Sequence, residues 1–478
     1  MSHQMILFAL CFALAADNDV LAFSTQGHHR SSSSSSSSSS RLNLYLDGKS
    51  GPVHPSSSNT EIITDTTRLG NLQVPTVGVG TISWSSNKSE FSSMQLDTRT
   101  RSTIVVMFWR ISTNAFLPLL TVLELENLEL QSLVNTACAS NAALFDTAER
   151  YGSHLKTALG LGWGETEKLI CKFLESAPTT TTTSSTTTSP VVATKFTPTP
   201  WRTTVESVVE ACQDSCERLG VEQLDLYQLH MPDIVQPLRA FGKAQSKDEI
   251  YWQGLAECYN RGLVKNVGVC NYGPTLLEKC QDKLAQYNVP LASNQIAYSL
   301  LGRHDGAQST LDYCNANNIK VLAFYPFAMG LLTGKYNNNV SSQNLARETL
   351  TTLTTNKKTM LEGLDLQKYA KGGTGAIPEG GIAPLLTVLE EVAQRNGKTV
   401  AQVALNYIIC KGAIPIPGAR SSLQLQDNIG ATGWRLSDQE VSLLETTADS
   451  LGFGFDGAGF KRTSEKFVGY GVEKWSLD

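Results

Sequence analysis

Charge is scarce in this chain of 478 residues. Its 39 Lys and Arg stand against 44 Asp and Glu, 17% of the sequence with a net charge of −5, where about a quarter charged is ordinary. That balance leaves no basic footprint for nucleic acid. Long apolar runs are missing too. Residues 5–16 (MILFALCFALAA) are too short to cross a bilayer as a helix. Residues 104–120 are apolar-rich but interrupted by Arg110, Asn114 and Pro118. No stable membrane insertion is expected. The ten cysteines include no CxxC pair and no Cys/His cluster at zinc spacing, so no metal site is expected. Cys212 and Cys216, four apart on a helical pattern, read as buried reduced thiols. No GxGxxG follows the first strand-like run, and the glycines of 160–164 (GLGWG) lack a strand-turn-helix context. What remains is a 41% apolar composition, ample for a folded core.

The first sixty residues read as a presequence. The apolar run at 5–16 has the length of a signal-peptide core. Residues 20–46 contain no acid, and Arg30 and Arg41 flank ten serines at 31–40. Acid-poor, Ser-rich and basic is the composition of a transit peptide. The order resembles the bipartite plastid presequences of algae with secondary plastids. A plastid address is expected; secretion, or a passive tail on a cytoplasmic protein, is the alternative.

Eight short β-branched runs follow, at 76–81, 143–145, 191–194, 224–229, 267–269, 293–297, 320–324 and 413–416. Helical patterns lie between most of them, such as 204–219, 251–261 and 384–396, the last followed by Gly397. Strands alternating with helices imply a parallel sheet. Eight units imply an α/β protein with a (β/α)8 TIM barrel, with a doubly wound sheet as competitor. In a barrel the C-terminal strand ends form the catalytic face. Asp146 and Tyr151 follow the second run, Lys195 ends the third and His230 the fourth. These four have a chemical logic. A phenol is a weak acid at neutral pH. A neighbouring ammonium favours the phenolate, an Asp would hold that ammonium, and a His could orient a carbonyl. Such a tyrosine suits proton donation to an oxygen gaining charge. Carbonyl reduction fits, with hydride from a cofactor.

The stretches FDTAERYG, VVATKF, LYQLHMPD, GLVKNVGVCNYG, SNQIAYSLL, FYPFAMGLLTGKY and IPIPGARSSLQLQDNIGATGW stand in order, one per strand end. They resemble the aldo-keto reductase superfamily, and within it the plastid-type NADP-dependent oxidoreductases of plants and algae. The resemblance implies a catalytic tetrad of Asp146, Tyr151, Lys195 and His230, with Tyr151 as general acid. It implies NADPH/NADP+ lying across the barrel mouth. Asn271 and Gln295 match carboxamide contacts, Arg420 the cation for the adenosine 2′-phosphate, Gln424 a further phosphate contact, and Asp427 and Asn428 the adenine pair. Three positions depart from the pattern. Cys270 replaces a serine beside Asn271, Phe324 stands where a tyrosine commonly stacks on nicotinamide, and Tyr325 replaces a small residue.

The expected organisation is a presequence over 1–60, a barrel over 68–452 and a tail over 453–478, with insertions near 97–122 and 176–190. Residues 98–120 are either a lineage-specific element over the mouth or translated non-coding sequence. The Ser/Thr tract at 179–189 is a solvated loop on the N-terminal face. Trp84, Met231 and the Gly- and Phe-rich tail are the guesses for a pocket holding a small carbonyl substrate. The alternative to an enzyme is a cofactor-binding regulatory subunit of the same fold.

Overall fold

Residues 65–84, 116–152, 163–177, 189–233, 246–304, 306–334 and 382–451 are described by a computed structural model. The presequence, residues 98–115 of the first insertion, all but the last residue of the Ser/Thr tract, and the tail lie outside the described residues.

Strands β1 (Thr66–Leu69) and β2 (Leu72–Pro75) form an antiparallel hairpin. Eight parallel strands follow: β3 (Val79–Gly80), β4 (Leu144–Asp146), β5 (Val191–Phe196), β6 (Leu226–Leu229), β7 (Val267–Cys270), β8 (Leu291–Ala297), β9 (Lys320–Phe324) and β10 (Ile414–Pro415). Each pairs with its successor. Gly78 N donates to Pro415 O at 2.9 Å and Gly80 N to Pro417 O at 3.0 Å. Those bonds bring β10 back to β3, so the sheet closes into a (β/α)8 barrel and the doubly wound alternative falls. All eight sequence runs became these strands. Full burial of β5, β6 and β7 explains their unbroken apolar character, since helices cover a parallel sheet.

The covering helices are α1 (Phe116–Ala139), α2 (Glu165–Glu175), α3 (Val205–Leu219), α4 (Asp248–Asn260), α5 (Pro274–Ala285), α6 (Ala307–Ala316), α7 (Ala383–Asn396), α8 (Val400–Cys410), α9 (Ser422–Ile429) and α10 (Asp438–Ser450). Residues 116–120 of the first insertion open α1. Local chemistry sets the ends. Thr204 caps α3 by accepting from Ser207 N, and Thr399 with Gln402 forms a capping box on α8. Gly397 ends α7 in the left-handed region. No helix among the described residues is long and apolar enough to cross a membrane. The nine described cysteines, Cys212 and Cys216 among them, are free thiols.

The hairpin was missed by the sequence reading, although Gly-Asn between two short runs is a turn signal. It plugs the N-terminal end of the barrel. Leu69 and Val74 pack with Leu144, Ala193, Leu226, Ala292, Leu322 and Ile414. Asn71 N donates to Asn266 Oδ1 at 3.0 Å, and Asn266 Nδ2 donates to Asn71 Oδ1 at 2.7 Å. Gly70 makes the turn at φ +56°, and a Cβ there would lie 2.0 Å from Asn266 Oδ1. Gly70→Ala is therefore expected to destabilise by more than about 1 kcal/mol. Urea unfolding checks this, and an unchanged midpoint would contradict it.

Candidate active site

Inward-facing residues alternate along each strand. Leu144 and Ala193 pack inside the barrel, so Asp146 and Lys195, two residues on, face inward nearer the C-terminal mouth. Both are buried, Lys195 completely. Lys195 Nζ donates to Asp146 Oδ2 at 2.7 Å, to Thr147 O at 2.7 Å and to Tyr151 Oη at 3.2 Å. Gln295 Nε2 donates to Asp146 Oδ1 at 2.7 Å, so both carboxylate oxygens are held. The Tyr151 and His230 rings meet edge-on, with centroids 5.7 Å apart. The four residues anticipated at separate strand ends thus converge.

Electrostatics assign their states. Burial works against the Lys195 charge, but Asp146 outweighs it, and the lysine pKa is raised. Burial pushes the Tyr151 phenol up to about 12, and the Lys195 ammonium pulls against that rise without reversing it. The expectation of a lowered phenol is corrected in net sign, because desolvation of the phenolate exceeds the pull of the ammonium. Burial, then the charges of Lys195 and Arg150, hold His230 well below its usual value, so the imidazole is neutral. A protonated phenol beside a neutral imidazole has the chemistry to donate a proton and to orient an acceptor. Turnover in the reducing direction is expected to be level from about pH 6 to 9 and to fall only in strong alkali, as the phenol ionises. Oxidation needs the phenolate and is expected to rise with pH. Profiles of kcat in both directions check the pair, and a reduction rate that halves between pH 7 and 8 would contradict it.

The neighbouring positions are placed as follows. Cys270 is buried beneath the mouth, and burial raises its thiol pKa. Asn271, at φ +66°, donates through Nδ2 to His230 O at 3.3 Å. The amide nitrogens of Asn271 and Gln295 are thus engaged within the site itself. Phe324 and Tyr325 meet edge-on at 5.0 Å, both half-buried, with Tyr325 at φ +52°. A bulky residue there is strained, which is characteristic of functional loops. Met231 is half-buried directly after His230. Trp84 is a correction: it is 4% exposed, and its Nε1 donates to Ala419 O at 2.9 Å. Its ring meets Phe145 and Phe173 edge-on at 6.2 and 6.4 Å. Apolar burial draws the indole behind β4 into the core.

The start of α9 adds a further element to the site. Ser421 caps it by accepting from Gln424 N, and Gln424 Oε1 accepts from Arg420 N at 2.8 Å. An arginine next to a helix start has the chemistry that suits a phosphate. The donor set fits an anionic dinucleotide. Asp427 turns instead toward α8, where its Oδ1 accepts from Thr399 Oγ1 at 3.1 Å and Gln402 Nε2 at 3.0 Å. Asn428 is 6% exposed.

Sequence reasoning left Glu149, Thr197 and Arg202 unread. Glu149 is 1% exposed, and both its carboxylate oxygens receive the Arg202 guanidinium. A glutamate inside FDTAERYG, two residues before Tyr151 on a strand end, was the available signal.

Comparison with known proteins agrees with this fold. The sequence profile of the Aldo/keto reductase family matches residues 123–449. A chloroplastic pyridoxal reductase of Arabidopsis thaliana is 35% identical over 320 residues, 67% of this chain and 76% of that protein. The glycerol dehydrogenase of Gluconobacter oxydans has the same fold at a TM-score of 0.53 and 20% identity, over 81% of this chain and 96% of that one. An aldo-keto reductase of Bombyx mori solved with NADP has a TM-score of 0.50 at 19% identity, over 83% of this chain and 99% of that one. With the family profile covering most of the barrel, this chain belongs to the aldo/keto reductase family and is an oxidoreductase of that family.

Proposed function

We propose that the chain reduces an aldehyde or ketone to an alcohol with NADPH, and that Tyr151 supplies the proton. The observation that carries this is the contact of Lys195 Nζ with Tyr151 Oη at 3.2 Å and Asp146 Oδ2 at 2.7 Å. NADPH, when bound, supplies the hydride. Arg420, Gln424 and the start of α9 would hold its phosphate end. Asn271, Gln295, Cys270, Phe324 and Tyr325 would line its nicotinamide end. As charge develops on the carbonyl oxygen, the neutral Tyr151 donates its proton, and the Lys195 ammonium stabilises the phenolate left behind. Asp146 keeps the ammonium in place, and neutral His230 orients the oxygen. The Arabidopsis relative is named for pyridoxal, which makes aromatic aldehydes the first class to assay.

Purified protein is expected to consume NADPH in the presence of pyridoxal or other aldehydes. NADPH binding with no turnover on a broad aldehyde and ketone panel would overturn the proposal and favour the regulatory subunit. For location, we propose the plastid, on the composition of residues 1–60 and the chloroplastic name of the Arabidopsis relative. A mature chain beginning beyond the Ser tract is expected, and an unprocessed Met1 in vivo would contradict it.

A further inference from the structure

Tyr151 lies beyond the last residue of β4, on a turn that other groups must hold. Glu149 sits in that turn, and a buried carboxylate is costly unless paired. Its Oε1 accepts from Thr197 N at 2.6 Å and from Arg202 Nη1 at 2.5 Å, and its Oε2 accepts from Arg202 Nη2 at 3.0 Å. The guanidinium lies over the Phe196 and Trp163 rings at 4.7 and 5.1 Å, and Nη1 also donates to Thr197 O at 3.0 Å. Tyr251 Oη donates to Arg202 O at 2.8 Å, fixing the arginine backbone. On the other side, Gly164 N donates to Glu149 O at 2.5 Å, and Thr166 N donates to Tyr151 O at 3.3 Å. Thr197 follows Lys195 by two residues, and its hydroxyl is 3.5 Å from His230 Nδ1.

The Glu149 carboxylate therefore joins the turn that carries Tyr151 to the end of β5, which carries Lys195, and the Thr197 hydroxyl extends the contact to His230 at the end of β6. We infer that Glu149, clamped by Arg202, is a positioning residue: it ties the Tyr151 turn to Thr197, and Thr197 sets the orientation of His230. The inference rests on the reduction proposed above. A neutral imidazole carries one N–H, and the partner of one nitrogen decides which nitrogen bears it. That contact, with the hydroxyl as donor to Nδ1, would put the proton on Nε2. His230 then offers a donor to the carbonyl oxygen that also receives the Tyr151 proton. A clamp serving only stability would leave the His230 tautomer and the turnover of folded protein untouched.

Two variants separate these roles. Thr197→Val keeps the backbone N–H for Glu149 and removes only the hydroxyl. It is expected to lower kcat about tenfold, leave the NADPH dissociation constant within about twofold, and reduce the Nε2–H share of His230 in 15N NMR. Glu149→Gln breaks the ion pair and is expected to lower kcat by up to about a hundredfold, with a smaller change in KM. Wild-type kcat and an unchanged tautomer in Thr197→Val would overturn the inference, whether or not Glu149→Gln folds. Tyr151→Phe belongs in the same assay. Full activity in that variant sinks the proposed reduction mechanism, whereas an inactive Tyr151→Phe beside a fully active Thr197→Val sinks the positioning role alone.

Discussion

Lys195→Met is expected to destabilise the protein by about 3–5 kcal/mol and to lower turnover severely. The stability loss follows from burial. Lys195 is fully buried and Asp146 nearly so, and removing one partner of such a pair strands the other charge. Methionine fills much of the lysine stem, so the loss reports the charge and its three contacts rather than a cavity. A second substitution separates the effects. Asp146→Asn on the Lys195→Met background removes the stranded carboxylate and is expected to recover much of the stability, because neutral replacements of buried pairs are often tolerated. Activity is not expected to return, since no ammonium then stabilises the phenolate. The raised Lys195 pKa also fixes the pH dependence. The contribution of the Lys195 charge is fully present below the ordinary lysine value and is lost as pH rises through the folded value in strong alkali. Denaturant midpoints of the wild type and the single and double variants check this, and equal midpoints for wild type and Lys195→Met would contradict it.

The barrel was legible because its strands are buried through their middles and its helices are amphipathic. Val191–Phe196 and Lys320–Phe324 stand out as β-branched or apolar runs for that reason. The residues of the site were legible because chemistry-bearing side chains sit at strand ends, where alternation puts Asp146 and Lys195 on the inner face. What escaped was whatever depends on packing between distant segments. Trp84 lies close to Thr81 in sequence, yet its place is decided by Phe145, Phe173 and the Ala419 carbonyl. Asp427 looks available in sequence, but Thr399 and Gln402 of another helix engage it. The Tyr151 pKa went the other way in net sign because desolvation depends on burial, which residue spacing does not record. Glu149 was visible as a letter and invisible as a partner, since Arg202 lies 53 residues away.

The account stands on one proton. Tyr151 is held neutral by burial, with its oxygen 3.2 Å from the Lys195 ammonium, and in the proposed reduction it supplies the proton that the carbonyl oxygen takes up. Tyr151→Phe removes that hydroxyl and little else. The ring keeps its edge contact with His230 and its place over Lys195, so folding and cofactor binding are expected to persist. Positioned general acids contribute on the order of 10²–10⁴ in rate. The direct measurement is the single-turnover rate of NADPH consumption at saturating aldehyde, taken with the NADPH dissociation constant of the same sample. A rate lower by about three decades at unchanged NADPH affinity is expected, and a Tyr151→Phe rate equal to wild type would contradict the account.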